Sequence, residues 1–145
     1  MNVKKRLFAD FFVLLIITIF VSYIFDIAYG DVSEVGDISR VRTASVGSQL
    51  YSDEDIESAI EVAEDYFHKY FGGCVMTDIH YGGDEASQRE AEYHKEYEGV
   101  ILLYSDFYTE KQLTVGGLAD NSYYPNFNWI IVKKDGKWQH LDHGY

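Results

Sequence analysis

The sequence predicts an α+β fold in which a long N-terminal helix packs on a curved antiparallel sheet, preceded by a signal peptide or a single membrane helix. Three observations predict it. Residues 52–71 repeat their apolar members every three and four positions, the period of a helix with one buried face. Later segments are rich in β-branched and aromatic residues, and the last two flank Asp135-Gly136, a strong hairpin signal. The first 30 residues place bases directly before an apolar run. With 145 residues, 47% hydrophobic and 17% aromatic, the chain has material for one core and little more.

From Leu7 to Phe25 only Asp10 is charged. As a helix this run would cover about 28 Å, close to the hydrocarbon thickness of a bilayer. Two readings follow for residues 1–30. One is a signal peptide leaving through Ala28-Tyr29-Gly30, with cleavage before Asp31; the other is a membrane anchor through residues 7–25. Lys4, Lys5 and Arg6 before the run and the acids after it orient both alike, with the body outside the cell membrane, single-pass or secreted. Residues 31–50 mix Gly, Ser, Asp, Val and Arg without a period and read as a linker, leaving 51–145 as the domain.

Ser52 followed by Asp55 resembles a capping box, and Asp53, Glu54 and Asp55 suit the positive end of a helix dipole. The helix carries Ile56, Ala59, Ile60, Ala63, Tyr66, Phe67, Tyr70 and Phe71 on one stripe and stops at Gly72-Gly73. Cys74 to Tyr81 reads as a strand, and Asp84 to Tyr97 as a mostly solvated second helix. Val100 to Tyr108 reads as another strand, and Glu110 to Pro125 as a long loop. Across the hairpin, a two-residue turn sets Lys133 opposite Trp138, Ile131 opposite His140 and Trp129 opposite Asp142 on one face.

The run Tyr66-Phe67-His68-Lys69-Tyr70-Phe71-Gly72-Gly73-Cys74, the strand ending at Tyr81, the acidic second helix, and the close from Asn128-Trp129-Ile130-Ile131-Val132-Lys133 through Asp135-Gly136-Lys137-Trp138 to Gly144-Tyr145 carry a resemblance. This pattern resembles the small extracytoplasmic domains of Gram-positive bacterial proteins assigned to a domain of unknown function. Those domains are similar to the nuclear transport factor two-like, or cystatin-like, cone fold. The resemblance covers residues 50 to 145 and implies a helix wrapped by a curved sheet. Relatives often carry a lipid-attachment cysteine after the signal segment, which this chain lacks. No activity comes with the resemblance, because a fold does not confer one.

The formal net charge is −12, and residues 31–145 hold 9 bases against 22 acids, which excludes nucleic acid as a partner. Cys74 is the sole cysteine, so no intrachain disulfide forms, and it reads as a small buried residue. The acids Asp84, Glu85, Glu90, Glu92, Glu96 and Glu98 lack the spacing of a calcium loop and read as a solvated face. No metal or other cofactor is expected.

Five residues are expected to line a binding site: Trp129, His140, Asp142, Tyr123 and Tyr124. Tyr123 and Tyr124 stand in the long loop, where tyrosine offers contact area at low entropic cost. The main expectation is an extracytoplasmic domain binding a small ligand or a protein through a sheet cavity and that loop. An alternative is a small isomerase or hydrolase using Asp142 and His140 as an acid/base pair, which a cavity of about 300 Å³ lined by both would favour. The same pair with His143 or His80 would be a metal site. A third reading is association through an exposed sheet face, giving a dimer.

Overall fold

The computed structural model describes residues 15–21, 34–44, 47–110 and 117–145. They fall into two units, Met1–Val32 and Ser33–Tyr145. In the first, residues 15–21 form a short helix, α1, with Leu15, Ile16, Ile17, Ile19, Phe20 and Val21 exposed. The rest of the apolar run lies outside the described residues. Among those described, no helix is long and apolar enough to cross a membrane.

The second unit runs β1 (Arg42–Ala44), α2 (Asp53–Tyr70), β2 (Cys74–Tyr81), α3 (Asp84–Tyr93), β3 (Gly99–Thr109), β4 (Ser122–Lys134) and β5 (Lys137–Gly144). The five strands make one sheet in chain order, β1 parallel to β2 and the other pairs antiparallel. This corrects the expected fold class in two respects. The sheet is mixed rather than antiparallel, because α2 is the crossover that a parallel β1–β2 pair requires. Among the described residues there is also no long N-terminal helix: α1 covers seven of them, and the longest helix, the 18 residues of α2, follows a strand.

The stretch 34–44, expected to be a free linker, is built into the fold. Gly36 N–H donates to the His68 carbonyl, and Asp37 exchanges backbone hydrogen bonds with Cys74 and Met76. A Cβ on Gly36 would lie 2.5 Å from the Phe67 carbonyl oxygen, so the crossing over the end of α2 needs a glycine.

α2 forms where the cap and the apolar stripe agree. Ser52 Oγ accepts the Asp55 amide at 3.1 Å, and Ile56, Ala59, Ile60, Ala63 and Phe67 are buried. They rest on Met76, Ile79, Tyr81, Ile101, Leu103, Phe107, Phe127, Trp129 and Ile131 from the sheet. Each large side chain in this layer contributes roughly 1.5–3 kcal/mol by leaving water. α3 serves the opposite need. Where β2 ends, Ser87 Oγ accepts the Leu102 amide at 3.1 Å, while the Tyr51 hydroxyl donates to the Val100 carbonyl and accepts its amide. Two side chains thus replace the missing ladder along β3.

The hairpin is pinned to α2 by one carboxylate. Asp55 accepts Lys133 Nζ at 2.9 Å and Trp138 Nε1 at 3.0 Å on one oxygen, and Ser52 Oγ at 2.9 Å on the other. These hydrogen bonds, Lys133's first, hold its carboxyl at about 2. Replacing Asp55 with alanine is expected to cost about 1–2 kcal/mol, since it removes the capping partner and strands an ammonium and an indole N–H. Urea denaturation reads it directly, and an unchanged midpoint would refute the clamp.

Candidate functional site

Trp129 sits fully buried at the centre of β4, its Nε1 donating to Ser105 Oγ at 2.8 Å. Phe67, Phe71 and Phe127 pack around it, with ring centroids 5.4 to 6.4 Å away. Trp129 is therefore a core residue, and aromatic rings fill the space expected to be a sheet cavity. Two surface grooves of about 310 and 330 Å³ are lined by other residues, one beside Ser52, Asp55 and Trp138, the other beside Val35, Ile38 and His68.

The hairpin register holds through Lys133↔Trp138 and Ile131↔His140, then shifts: Ile130 pairs with Asp142 and Trp129 with His143. Leu141 is the extra residue of a β-bulge, and one added residue reverses the facing of all that follow. His140 and His143 consequently share the α2 side. Asp142, expected opposite Trp129 beside His140, is exposed instead, its carboxylate accepting the His143 amide at 2.8 Å. The acid/base pair is not assembled.

In its place stands a pair of imidazoles. His140 Nε2 and His143 Nδ1 are 3.0 Å apart, so one ring donates to the other. The His140 ring stacks on Tyr66 of α2 at 3.8 Å, and the His143 ring on Trp129 at 5.3 Å. Burial first, then His143, lowers His140 to about 4, against the pull of Asp142. Burial also lowers His143, which Asp142 again opposes. Two uncharged rings packed on aromatics make an apolar surface. His80 cannot join them, because it lies on the other face with its Nδ1 2.8 Å from Asp78. Among the described residues no three potential metal ligands of the His, Cys, Asp and Glu types gather. Cys74 is buried, and that burial lifts its thiol to about 11.

Tyr123 and Tyr124 belong to β4 rather than to a loop, and being adjacent on a strand they face opposite ways. The Tyr123 hydroxyl donates to Asp106 at 2.6 Å. Tyr124 stacks on Phe107 at 5.0 Å, and its hydroxyl accepts the Ala119 amide.

Tyr124 begins a continuous strip on the α2 side. It meets Tyr145 at 6.5 Å, Tyr145 meets Phe127 at 5.5 Å, Phe127 meets His143 at 5.8 Å, and beyond His140 lie Tyr66 and Tyr70, 4.5 Å apart. Tyr145, next to the Tyr124 end, is 75% exposed, and Tyr70, at the other end, 42%. Of the five expected residues, the strip uses His140 and Tyr124 on its surface and Trp129 beneath it; Tyr123 and Asp142 lie outside it. Sequence reasoning missed Tyr145 and the outward edge of Tyr66 and Tyr70. The signal for the latter was present, since the aromatic stripe of α2 widens at its C-terminal end beyond what a core needs.

No family model, curated protein or solved structure matches the chain, so the family resemblance gains no support from comparison.

Proposed function

We propose that this chain is a protein-binding module displayed on the outer side of a membrane, held there or exported by its amino-terminal apolar run, and that the strip from Tyr70 to Tyr145 is its recognition surface. The observation that carries this reading is a row of rings already fixed by stacking yet exposed at Tyr145 and at Tyr70. Rings held in advance lose little entropy on binding, and tyrosine and histidine give a partner both an apolar face and polar atoms. The filled interior disfavours a small ligand inside the sheet. The basic cluster before Leu7 and the acidic body after residue 30 support the outward orientation.

A photo-crosslinking residue at Tyr145 in the full chain, in its native cells, tests the reading. Expected is a discrete adduct that an equivalent residue at Glu92 does not form, together with removal of the body by protease added outside intact cells. Equal labelling at both positions, or a body protected from external protease, would contradict it.

A further inference from the structure

The last strand of the sheet has one edge bonded to β4 and, among the described residues, no strand paired with the other. Asp135 and Gly136 both have positive φ, 53° and 73°, as a two-residue type I′ turn requires. Such a turn makes Lys134↔Lys137 a hydrogen-bonded pair, and the alternation that follows turns the N–H and C=O groups of Lys137 and Gln139 toward β4. Those of Trp138 and His140 turn to the free edge. The bulge at Leu141 ends this regular stretch.

We propose that the free edge of β5 is an interface between two copies of this chain, paired antiparallel with Gln139 on the two-fold axis. Only a register that matches Trp138 with His140 of the second copy uses both outward-facing residues twice over, giving four ladder hydrogen bonds before the bulge. The faces agree as well. Trp138 and His140 both lie on the α2 side, where they bond to Asp55 and stack on Tyr66, so the indole of one copy meets the imidazole of the other. On the opposite side Gln139 meets its own copy, amide to amide, and exposed Lys137 meets the Leu141–Asp142 bulge, ammonium against carboxylate. The charges are self-complementary, as a two-fold contact demands. An isologous pair of this kind puts both α2 helices on one side of the joined sheet, and with them both aromatic strips. The inference does not rest on the recognition reading: a monomer would remove it and leave the strip in place.

The test is a single exposed cysteine, since Cys74 is buried. On the axis, facing residues form a non-hydrogen-bonded pair with Cα atoms about 4.5 Å apart, within disulfide reach. Gln139→Cys in the full chain in detergent is expected to give a disulfide-linked dimer under mild oxidation at least tenfold faster than Glu57→Cys, which stands exposed on α2. Lys137→Asp in that background is expected to slow cross-linking severalfold, and Lys137→Asp with Asp142→Lys to restore it. Cross-linking of Gln139→Cys no faster than Glu57→Cys would overturn the interface. Failure of the double charge exchange to restore the rate would overturn the register.

Discussion

Replacing Trp129 with alanine is expected to lower the free energy of unfolding by about 3–5 kcal/mol, the range for deleting a large buried aromatic. The indole is fully buried and touches Phe67 and Phe71 beneath α2 and Phe127 on its own strand, so no neighbour can swing in to fill the hole. Its loss also leaves the Ser105 hydroxyl, buried like the indole, without the donor it now accepts from. Domains of this size are stable by only about 5–15 kcal/mol, so the variant should stand near the edge of folding. Trp129→Phe keeps most of the volume and should lose about 1–2 kcal/mol, chiefly the hydrogen bond. Urea denaturation of both variants measures the difference. Equal and small effects would mean that the indole is peripheral to the core.

The second large effect is a loss of stability in acid that starts well above the carboxylate range. His140 titrates near 6.5 when unfolded and at about 4 when folded. Between those values the unfolded chain takes up a proton that the folded chain refuses, so stabilisation fully present above pH 6.5 drains away as the pH falls to about 4. Unscreened, this difference would be worth about 3 kcal/mol; solvent reaches the half-exposed ring and leaves about 1–2 kcal/mol. His143, also lowered by burial, acts in the same direction. Asp55 continues the loss further down: its carboxyl is held at about 2 against an ordinary 3.8, so its contribution is complete above 3.8 and disappears as the pH falls toward 2. Glu64, raised by burial and by Glu61 and Asp65, opposes the trend weakly. His140→Gln removes the upper part of the limb. Its urea midpoint should fall less steeply from about pH 6.5 to 4 than that of the unaltered chain, with only the His143 share of the decline remaining. Parallel declines in both would show that His140 does not couple to folding.

What the sequence reveals here is local. Ser52, the acids behind it and a stripe of spacing three and four specify α2 because cap, dipole and burial all act within a few residues. Asp135-Gly136 fixes the hairpin for the same reason, and the register follows by counting as far as Ile131. Legibility ends where an element depends on a distant partner. β1 has three exposed residues and no pattern of its own; it is a strand only because Arg42, Thr43 and Ala44 lie beside Asp78, Ile79 and His80. Gly36 looks like a linker glycine until Phe67 is placed against it. Ser122 to Pro125 reads as the end of a loop announced by Gly116-Gly117 and Asp120-Asn121, yet these residues belong to β4, which accommodates Pro125 at an irregularity in its pairing with β3.

The bulge at Leu141 is the most consequential case. It contains neither glycine nor proline, and its neighbours alternate as any strand would, so nothing local announces it. Yet it exchanges an acid for a histidine on the α2 side. An expected Asp142–His140 pair, which would suit proton transfer, becomes a His140–His143 pair, which suits contact. The packing above it gives the reason. Tyr66, Phe71 and Phe127 offer the α2 side of β5 only aromatic surface, which a neutral imidazole can lie on and a carboxylate cannot.

That exchange can be observed directly by nuclear magnetic resonance of the full chain in detergent, following ring-proton contacts and imidazole titration together. The result expected is contact between the His143 ring and the Trp129 indole and between the His140 ring and Tyr66, with His140 still uncharged well below pH 6.5. Contact between Trp129 and the Asp142 methylene, with both imidazoles gaining their protons near 6.5, would contradict the bulge, the aromatic strip and the binding surface built on them.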